Sequence, residues 1–219
     1  MRPVVCWLLR QSTRVLCQID GEALVHVPPR GPLILVTNHI GSLEVPLLYA
    51  HLHPRPLTGL AKVETWDNPF LAWLFDLFQA IPVRRGTPDV MAVRRCLEAL
   101  RAGYILAIMP EGTRSRHGRL LRAQPGVVTV ALHSGAPLLP LAHWGVEKFP
   151  ANLRRFRRTE FHIRVGRPFR LEIHEPRITR ALRRQIADEI MGQIASLLPP
   201  EYRGVYASCA DTPQYLRYL

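Results

Sequence analysis

Short apolar runs alternate along the chain with longer stretches of helical spacing. Leu33 to Val36, Tyr104 to Met109 and Pro137 to Ala142 are too short for helices and are bounded by turn formers, so they are expected to be buried strands. Ile81 to Val83 is a further short strand, and Phe161 to Val165 alternates as a half-buried strand does. Helices are predicted over Leu43 to His53, Asn68 to Gln79, Val90 to Arg101, Gly126 to Ser134 and Thr179 to Leu198. In the third of these Val93, Leu97 and Leu100 share a face, with Gly103 beyond its end, while Gly135 marks the stop of the fourth. His26 to Pro32 and the RRGT tetrapeptide at 84–87 read as a loop and a turn, and Ala151 to Phe161 as a basic loop. Strands alternating with helices predict a single α/β domain with a mixed, buried sheet flanked by helices.

The N-terminal stretch adds an amphipathic helix. Val4, Leu8, Val15 and Leu16 can share one face, with Arg10 and Arg14 elsewhere. Two placements fit: flat in a membrane interface, or packed on the core as an ordinary first helix. Residues 1–25 are therefore set apart as an N-terminal segment, 26–206 as the main domain and 207–219 as a C-terminal tail. The arginines interrupt the apolar patch and no small-residue cleavage site follows, so a secretory signal is not expected. No stretch reaches the roughly 20 apolar residues of a spanning helix. The expected location is the cytoplasmic face of the cell membrane, peripheral or monotopic.

Charge narrows the partners. The 219 residues carry a formal net charge of +12, almost all of the positive charge being arginine, since Lys62 and Lys148 are the only lysines. Such a balance suits nucleic acid, an anionic membrane face or anionic substrate, or simply a solvated surface. Cys6, Cys17, Cys96 and Cys209 are scattered, without metal-site spacing or a disulfide framework, which fits a reducing compartment. His51 and His53 near Pro54 resemble a metal pair only superficially, and no metal is expected.

The candidate chemistry lies where strands end. NHIGSLE (Asn38 to Glu44) follows the Leu33 to Val36 strand. In a regular helix His39 and Glu44 would point about 140° apart. A bend at Ile40-Gly41, with Ser42 as helix N-cap, brings the carboxylate back to the imidazole, as orientation of a general base requires. A structural histidine with a first-turn carboxylate has the same spacing. PEGTRS (Pro110 to Ser115) follows another buried strand; Gly112 permits a tight turn, and Thr113 and Arg114 offer donors to a phosphate or carboxylate. Arg84 and Arg85 make a cationic pair after the Ile81 to Val83 strand. If these corners share one sheet edge, a base stands beside an anion cradle.

Together these segments resemble the glycerolipid acyltransferase family, in particular its bacterial lysophosphatidate acyltransferases. NHIGSLE is similar to the family's histidine-x4-aspartate block, and GLAKVETWDNPFLAWLFDLFQAIPVRRG to its second, with Arg85 at the arginine. MPEGTRS resembles the third block and GAPLLPLAHWG the fourth, with Pro140 at its proline. LPPEYRGVYA is similar to the tail of bacterial members, so the likeness runs roughly from Asp20 to Tyr206. The resemblance implies a glycerol-3-phosphate acyltransferase-like fold. It implies transfer of a fatty acyl group from an acyl-CoA or acyl-carrier-protein thioester to the hydroxyl of lysophosphatidate, without acyl-enzyme, metal or bound redox cofactor. By the same resemblance His39 is the base and Glu44 its orienting carboxylate. Arg85, Glu111, Gly112, Thr113 and Arg114 shape the acceptor site, and Pro140 helps to place the fourth block and the acyl chain; Arg84 stands where the family often carries an acidic residue, and its extra charge is a further candidate for the acceptor. The chain departs from the family in having Glu44 for aspartate, and Gln124 where a lysine often precedes the glycine at 126.

Other features keep alternatives open. Glu111 can equally pair with Arg114 or a backbone amide. Phe70, Trp73, Phe75 and Phe78 suit a core more than a lipid site. Arg154, Arg155, Arg157 and Arg158, with Phe156 among them, form either a solvated loop or a contact for lipid headgroups or an acidic donor protein. A nucleic-acid module would explain the charge, but no recognition helix, zinc finger or paired aromatic motif accompanies it, so no specific nucleic acid is expected. Other lysophospholipid or amino-lipid acceptors, or lipid binding without turnover, remain compatible with the same motifs.

Overall fold

The computed structural model describes residues 1–208 and 213–219. Cys209 and the adjoining part of the predicted C-terminal tail lie outside the described residues.

Nine strands form one sheet among the described residues: β1 (Cys17–Asp20), β2 (Leu33–Thr37), β3 (Leu57–Lys62), β4 (Ile81–Val83), β5 (Ile105–Ile108), β6 (Leu138–Trp144), β7 (Thr159–Val165), β8 (Phe169–Leu171) and β9 (Leu216–Tyr218). The spatial order is β1-β7-β6-β2-β5-β3-β4, with β8 pairing β6 and β9 pairing β8. β6, β2, β5, β3 and β4 run parallel, whereas β7 runs against β6, so the sheet is mixed. β2 is wholly buried and lies between β5 and β6, which accounts for its unbroken LILVT sequence.

Helices cover both faces. α1 (Arg2–Leu16), α2 (Glu44–Leu52) and α3 (Pro69–Leu77) lie on the face toward which Leu33, Leu35 and Leu139 point. α4 (Val90–Arg101), α5 (Gly126–Ser134) and α7 (Arg180–Leu197) cover the other, packing on Ile34, Val36, Leu106 and Leu138. α6 (Phe149–Arg154) is a short helix between β6 and β7. Several helices start where side chains can accept from free N–H groups: Asn68 from Leu71, Asp89 from Ala92, Thr179 from Leu182.

Several expectations change. Of the predicted Ala151 to Phe161 loop, residues 151–154 belong to α6 and 159–161 to β7, which leaves 155–158 as a turn. The buried stripe of α4 is Ala92, Cys96 and Leu100; Val93 and Leu97 flank it, because Cys96 rather than Leu97 points at the sheet. Of the aromatic run only Phe78 is buried; Phe70 is 67% exposed and Trp73 41%. In α1 the buried side chains are Cys6 and Thr13, while Val4, Leu8 and Val15 face outward. Thr13 meets His51 of α2 at 3.2 Å, which gives that histidine a structural contact. β1 belongs to the sheet, so the N-terminal segment is built into the domain rather than appended to it.

Candidate active site at the carboxyl edge of the sheet

The parallel strands deliver their carboxyl ends to one edge. β2 ends at Thr37 and is followed by Asn38 and His39; β5 is followed by Met109, Pro110 and Glu111; β4 is followed by Arg84 and Arg85. Asn38 extends the β2–β6 pairing with its side chain: Nδ2 donates to the His143 carbonyl at 2.8 Å, and Oδ1 accepts from the His143 N–H at 3.0 Å. The His143 ring, stacked on Phe161, adds a contact from Nε2 to the Asn38 carbonyl at 2.9 Å. The residue before the candidate base is therefore anchored to the neighbouring strand.

His39 and Glu44 do meet. Nδ1 of His39 lies 2.7 Å from Oε1 of Glu44; the histidine side chain is 13% exposed and the glutamate fully buried. The same oxygen accepts from the N–H groups of Ile40 at 3.0 Å and Gly41 at 2.9 Å. Here the expectation of Ser42 as N-cap fails. α2 has Leu43 at its N-cap position and no side-chain cap; Glu44, its first residue, turns back and closes the bend through the two backbone donors. Burial by itself raises the Glu44 carboxyl, yet its pKa is held at about 2 by the His39 hydrogen bond and neighbouring positive potential. Burial also lowers the pKa of His143, so that ring contributes little charge at neutral pH, and the His39 and backbone donors carry the effect. An ionised Glu44 at Nδ1 fixes the tautomer of His39 and leaves Nε2 without a hydrogen-bond partner among the described residues.

The PEGTRS loop is sewn to this corner. Ser115 N–H donates to the His39 carbonyl at 2.8 Å, and Arg116 N–H to that of Ile40 at 2.9 Å. Glu111 is buried and uses both oxygens on backbone donors, His39 N–H and Leu121 N–H, each at 2.8 Å. Its carboxyl braces the backbone of the base from beneath; burial pushes its pKa up to about 7, against the two N–H donors. Gly112 takes φ +68, the left-handed conformation a tight turn needs, and packs against Gln124, whose N–H donates to the Pro110 carbonyl. Thr113 and Arg114 are exposed, as are Arg84 and Arg85, whose side chains form no hydrogen bond or ion pair among the described residues. Pro140 lies inside β6 opposite Val36, against Gly166, and is buried away from the loop residues.

The edge thus brings together His39, Glu44, Gly112, Thr113 and Arg114, with Glu111 beneath, and sets Arg84 and Arg85 two strands away on the same edge. Sequence reasoning passed over His143 and Leu121. The first shows itself only through its clamp on Asn38, and the second acts through its backbone, which no residue type announces. Among the described residues no group of three or more His, Cys, Asp or Glu side chains has a metal-binding arrangement. No helix among them is long and apolar enough to cross a membrane.

The fold has a solved counterpart. The 1-acyl-sn-glycerophosphate acyltransferase PlsC of Thermotoga maritima superposes with a TM-score of 0.64 at 21% identity, over 86% of this chain and 76% of that one, a likeness of fold. A 1-acyl-sn-glycerol-3-phosphate acyltransferase of Pseudomonas aeruginosa is 25% identical over 90% of this chain and 76% of its own length. A lyso-ornithine lipid O-acyltransferase of the same organism is 35% identical over 62% of this chain and 51% of its own. The chain spans about half or less of the length of the first curated relatives it matches, between 37% and 51%. The family model described as Acyltransferase matches residues 18–144, from β1 through the end of β6, the stretch that holds every element of the edge just described, and the chain belongs to that acyltransferase family.

Proposed function

We propose that the protein transfers a fatty acyl group from a thioester, acyl-CoA or acyl-carrier protein, to the free hydroxyl of lysophosphatidate, giving phosphatidate. The observation that carries this is the 2.7 Å contact between His39 Nδ1 and an ionised, buried Glu44, which leaves Nε2 as the proton acceptor. The acceptor hydroxyl loses its proton to Nε2 as its oxygen attacks the thioester carbonyl carbon. The C–O bond forms, the C–S bond breaks, and the leaving thiolate takes the proton from the imidazolium. Glu44 stabilises that imidazolium and stays ionised throughout. Glu111 holds the backbone of His39 and acts through it. Arg114, Arg84 and Arg85 supply positive charge for the acceptor phosphate, and Thr113 a hydroxyl. No cofactor is needed beyond the thioester donor. Pro140, within β6, contributes by helping to place the fourth block that β6 carries.

The acceptor and product are membrane lipids, and the outward apolar side chains of α1 and α3, Val4, Trp7, Leu8, Phe70 and Trp73, suit peripheral or monotopic seating on the cytoplasmic face. A lyso-ornithine lipid is the second acceptor with specific support. The uncharged Gln124 packs on Gly112, and the relative of 35% identity is named for that acceptor. Release of free thiol from an acyl-CoA in detergent micelles separates the two. The proposal predicts release that depends on lysophosphatidate. Release only with the lyso-ornithine lipid transfers the assignment, and release with neither lysolipid, from CoA or carrier-protein donors, overturns acyl transfer to these acceptors.

A further inference from the structure

A turn beyond the end of β6 has no part in the chemistry above. Between α6 and β7 the chain runs Arg154-Arg155-Phe156-Arg157-Arg158. Phe156 is 99% exposed and sits at φ +53, a conformation that a bulky residue adopts at a cost. Leu153, three residues before it, and Val15, near the end of α1, are also exposed. Arg158 is the root of the turn: its guanidinium donates to the carbonyls of Arg14 at 2.7 Å and Cys17 at 2.6 Å, tying the turn to the end of α1. Arg154, Arg155 and Arg157 are exposed, and none of them forms an ion pair among the described residues. A solvent-facing loop gains nothing from a strained, naked phenylalanine between free cations.

The register says where this turn points. β7 runs against β6, with His162 opposite Trp144, so the start of β7 stands at the carboxyl end of β6. β6 is parallel to β2, with Leu141 opposite Thr37, so that end is the edge from which His39 projects. β3 ends at the same edge, and the chain goes from there through 63–67 into α3, which begins with Pro69 and the exposed Phe70. The edge therefore carries aromatic outcrops on both sides of His39, Phe70 beyond β3 and Phe156 beyond β6.

We propose that the Arg154 to Arg158 turn is an interfacial finger: Phe156 enters an anionic lipid surface while Arg154, Arg155 and Arg157 engage headgroup phosphates, which sets the carboxyl edge of the sheet, and His39 with it, toward the membrane. The composition matches the occupant, one apolar anchor ringed by unpaired cations facing an apolar layer under a layer of phosphates. An acidic carrier protein offers the negative charge without requiring an anchor that is almost wholly exposed. The finger serves the proposed acyl transfer, but lipid binding is read without turnover, so the two fail separately.

The test is co-sedimentation of the full chain with vesicles of phosphatidylcholine, with and without phosphatidylglycerol. Wild type is expected to bind the anionic vesicles. Phe156→Gly suits a positive φ, so thermal stability should hold or rise while vesicle partition falls about tenfold. Phe156→Trp should retain partition and show blue-shifted emission relative to wild type on adding vesicles. Replacing Arg154, Arg155 and Arg157 by Gln should cost on the order of a hundredfold on anionic vesicles and little on phosphatidylcholine alone. Unchanged partition in Phe156→Gly overturns the finger, whatever the thiol-release assay gives. So does a set of variants that bind vesicles normally but lose affinity for an acidic acyl-carrier protein.

Discussion

Replacing Glu44 by aspartate tests the site's geometry directly, because it keeps the charge and removes only reach. Oε1 of Glu44 holds three donors: His39 Nδ1 at 2.7 Å, Ile40 N–H at 3.0 Å and Gly41 N–H at 2.9 Å. Removing one methylene draws the carboxylate back by roughly the 1.5 Å of a carbon–carbon bond. The His39 contact would then open to about 4 Å, beyond a hydrogen bond. Holding the carboxyl at about 2 against its usual 4.5 corresponds to roughly 3 kcal/mol in favour of the ionised form, to which the His39 hydrogen bond contributes most. Without its donors a fully buried charge stands uncompensated. Glu44→Asp should therefore lose up to about 3 kcal/mol of stability at neutral pH, and its rate should fall on the order of a hundredfold because the base is no longer held. Glu44→Gln, which keeps the length and loses the charge, should keep more of the bend and still lose most of the rate. Denaturant unfolding and thiol release on the same preparations measure both quantities. If Glu44→Asp matches wild type in both, the reach of the side chain is irrelevant and the corner tolerates either acid, contrary to the reasoning here.

Four further expectations follow from the same edge. Burial lifts Glu111 to about 7, so its contribution to stability is complete below 4.5, its ordinary value, and is lost as pH rises through 7, by roughly 3 kcal/mol. Thermal unfolding between those pH values should show this decline in wild type and not in Glu111→Gln; identical declines would contradict it. Glu44 acts in the opposite sense, its contribution being lost as pH falls from 4.5 toward 2, so wild type should lose stability over that acid range and Glu44→Gln should lose less. Gly112→Ala places a Cβ 3.2 Å from the movable Gln124 side chain at φ +68, and should cost roughly 1–2 kcal/mol in denaturant unfolding, mostly through the backbone. Arg114→Ala and Arg85→Ala should each raise KM for lysophosphatidate roughly tenfold with little change in stability, and unchanged KM in both would remove the arginines from the acceptor site.

The parts of this molecule that the sequence predicts well are those where the pattern and the environment coincide. β2, β5 and β6 are buried on both faces, and their unbroken apolar runs say so. The strands that escape notice carry weak patterns: β1 and β9 lie toward sheet margins with mixed sequences, β8 has only three residues, and β3, though it lies between β5 and β4, contains Thr58, Gly59 and Lys62 in six residues. Phe70 and Trp73 mislead because composition alone cannot tell a core helix from an apolar helix left open on the surface. At the site, the His39–Glu44 spacing foretells the pairing, since a five-residue separation with a glycine between them requires a bend. It does not foretell how the bend closes. Ser42 looks like the cap by residue type, yet α2 has no side-chain cap, and Glu44 closes the bend by accepting from the Ile40 and Gly41 N–H groups that precede the helix. The brace of Glu111 is hidden for a related reason: its partners are backbone N–H groups of residues 39 and 121, distant in sequence and of any side-chain type.

The proposed role of His39, taking the proton of a lysolipid hydroxyl during acyl transfer, is tested by one comparison. Wild type and His39→Ala are given an acyl-CoA and lysophosphatidate in detergent micelles, free thiol is followed, and thermal unfolding of both is recorded. The account predicts acceptor-dependent thiol release by wild type and its loss in a His39→Ala protein that unfolds like wild type. Acceptor-dependent release that survives in a folded His39→Ala would contradict it.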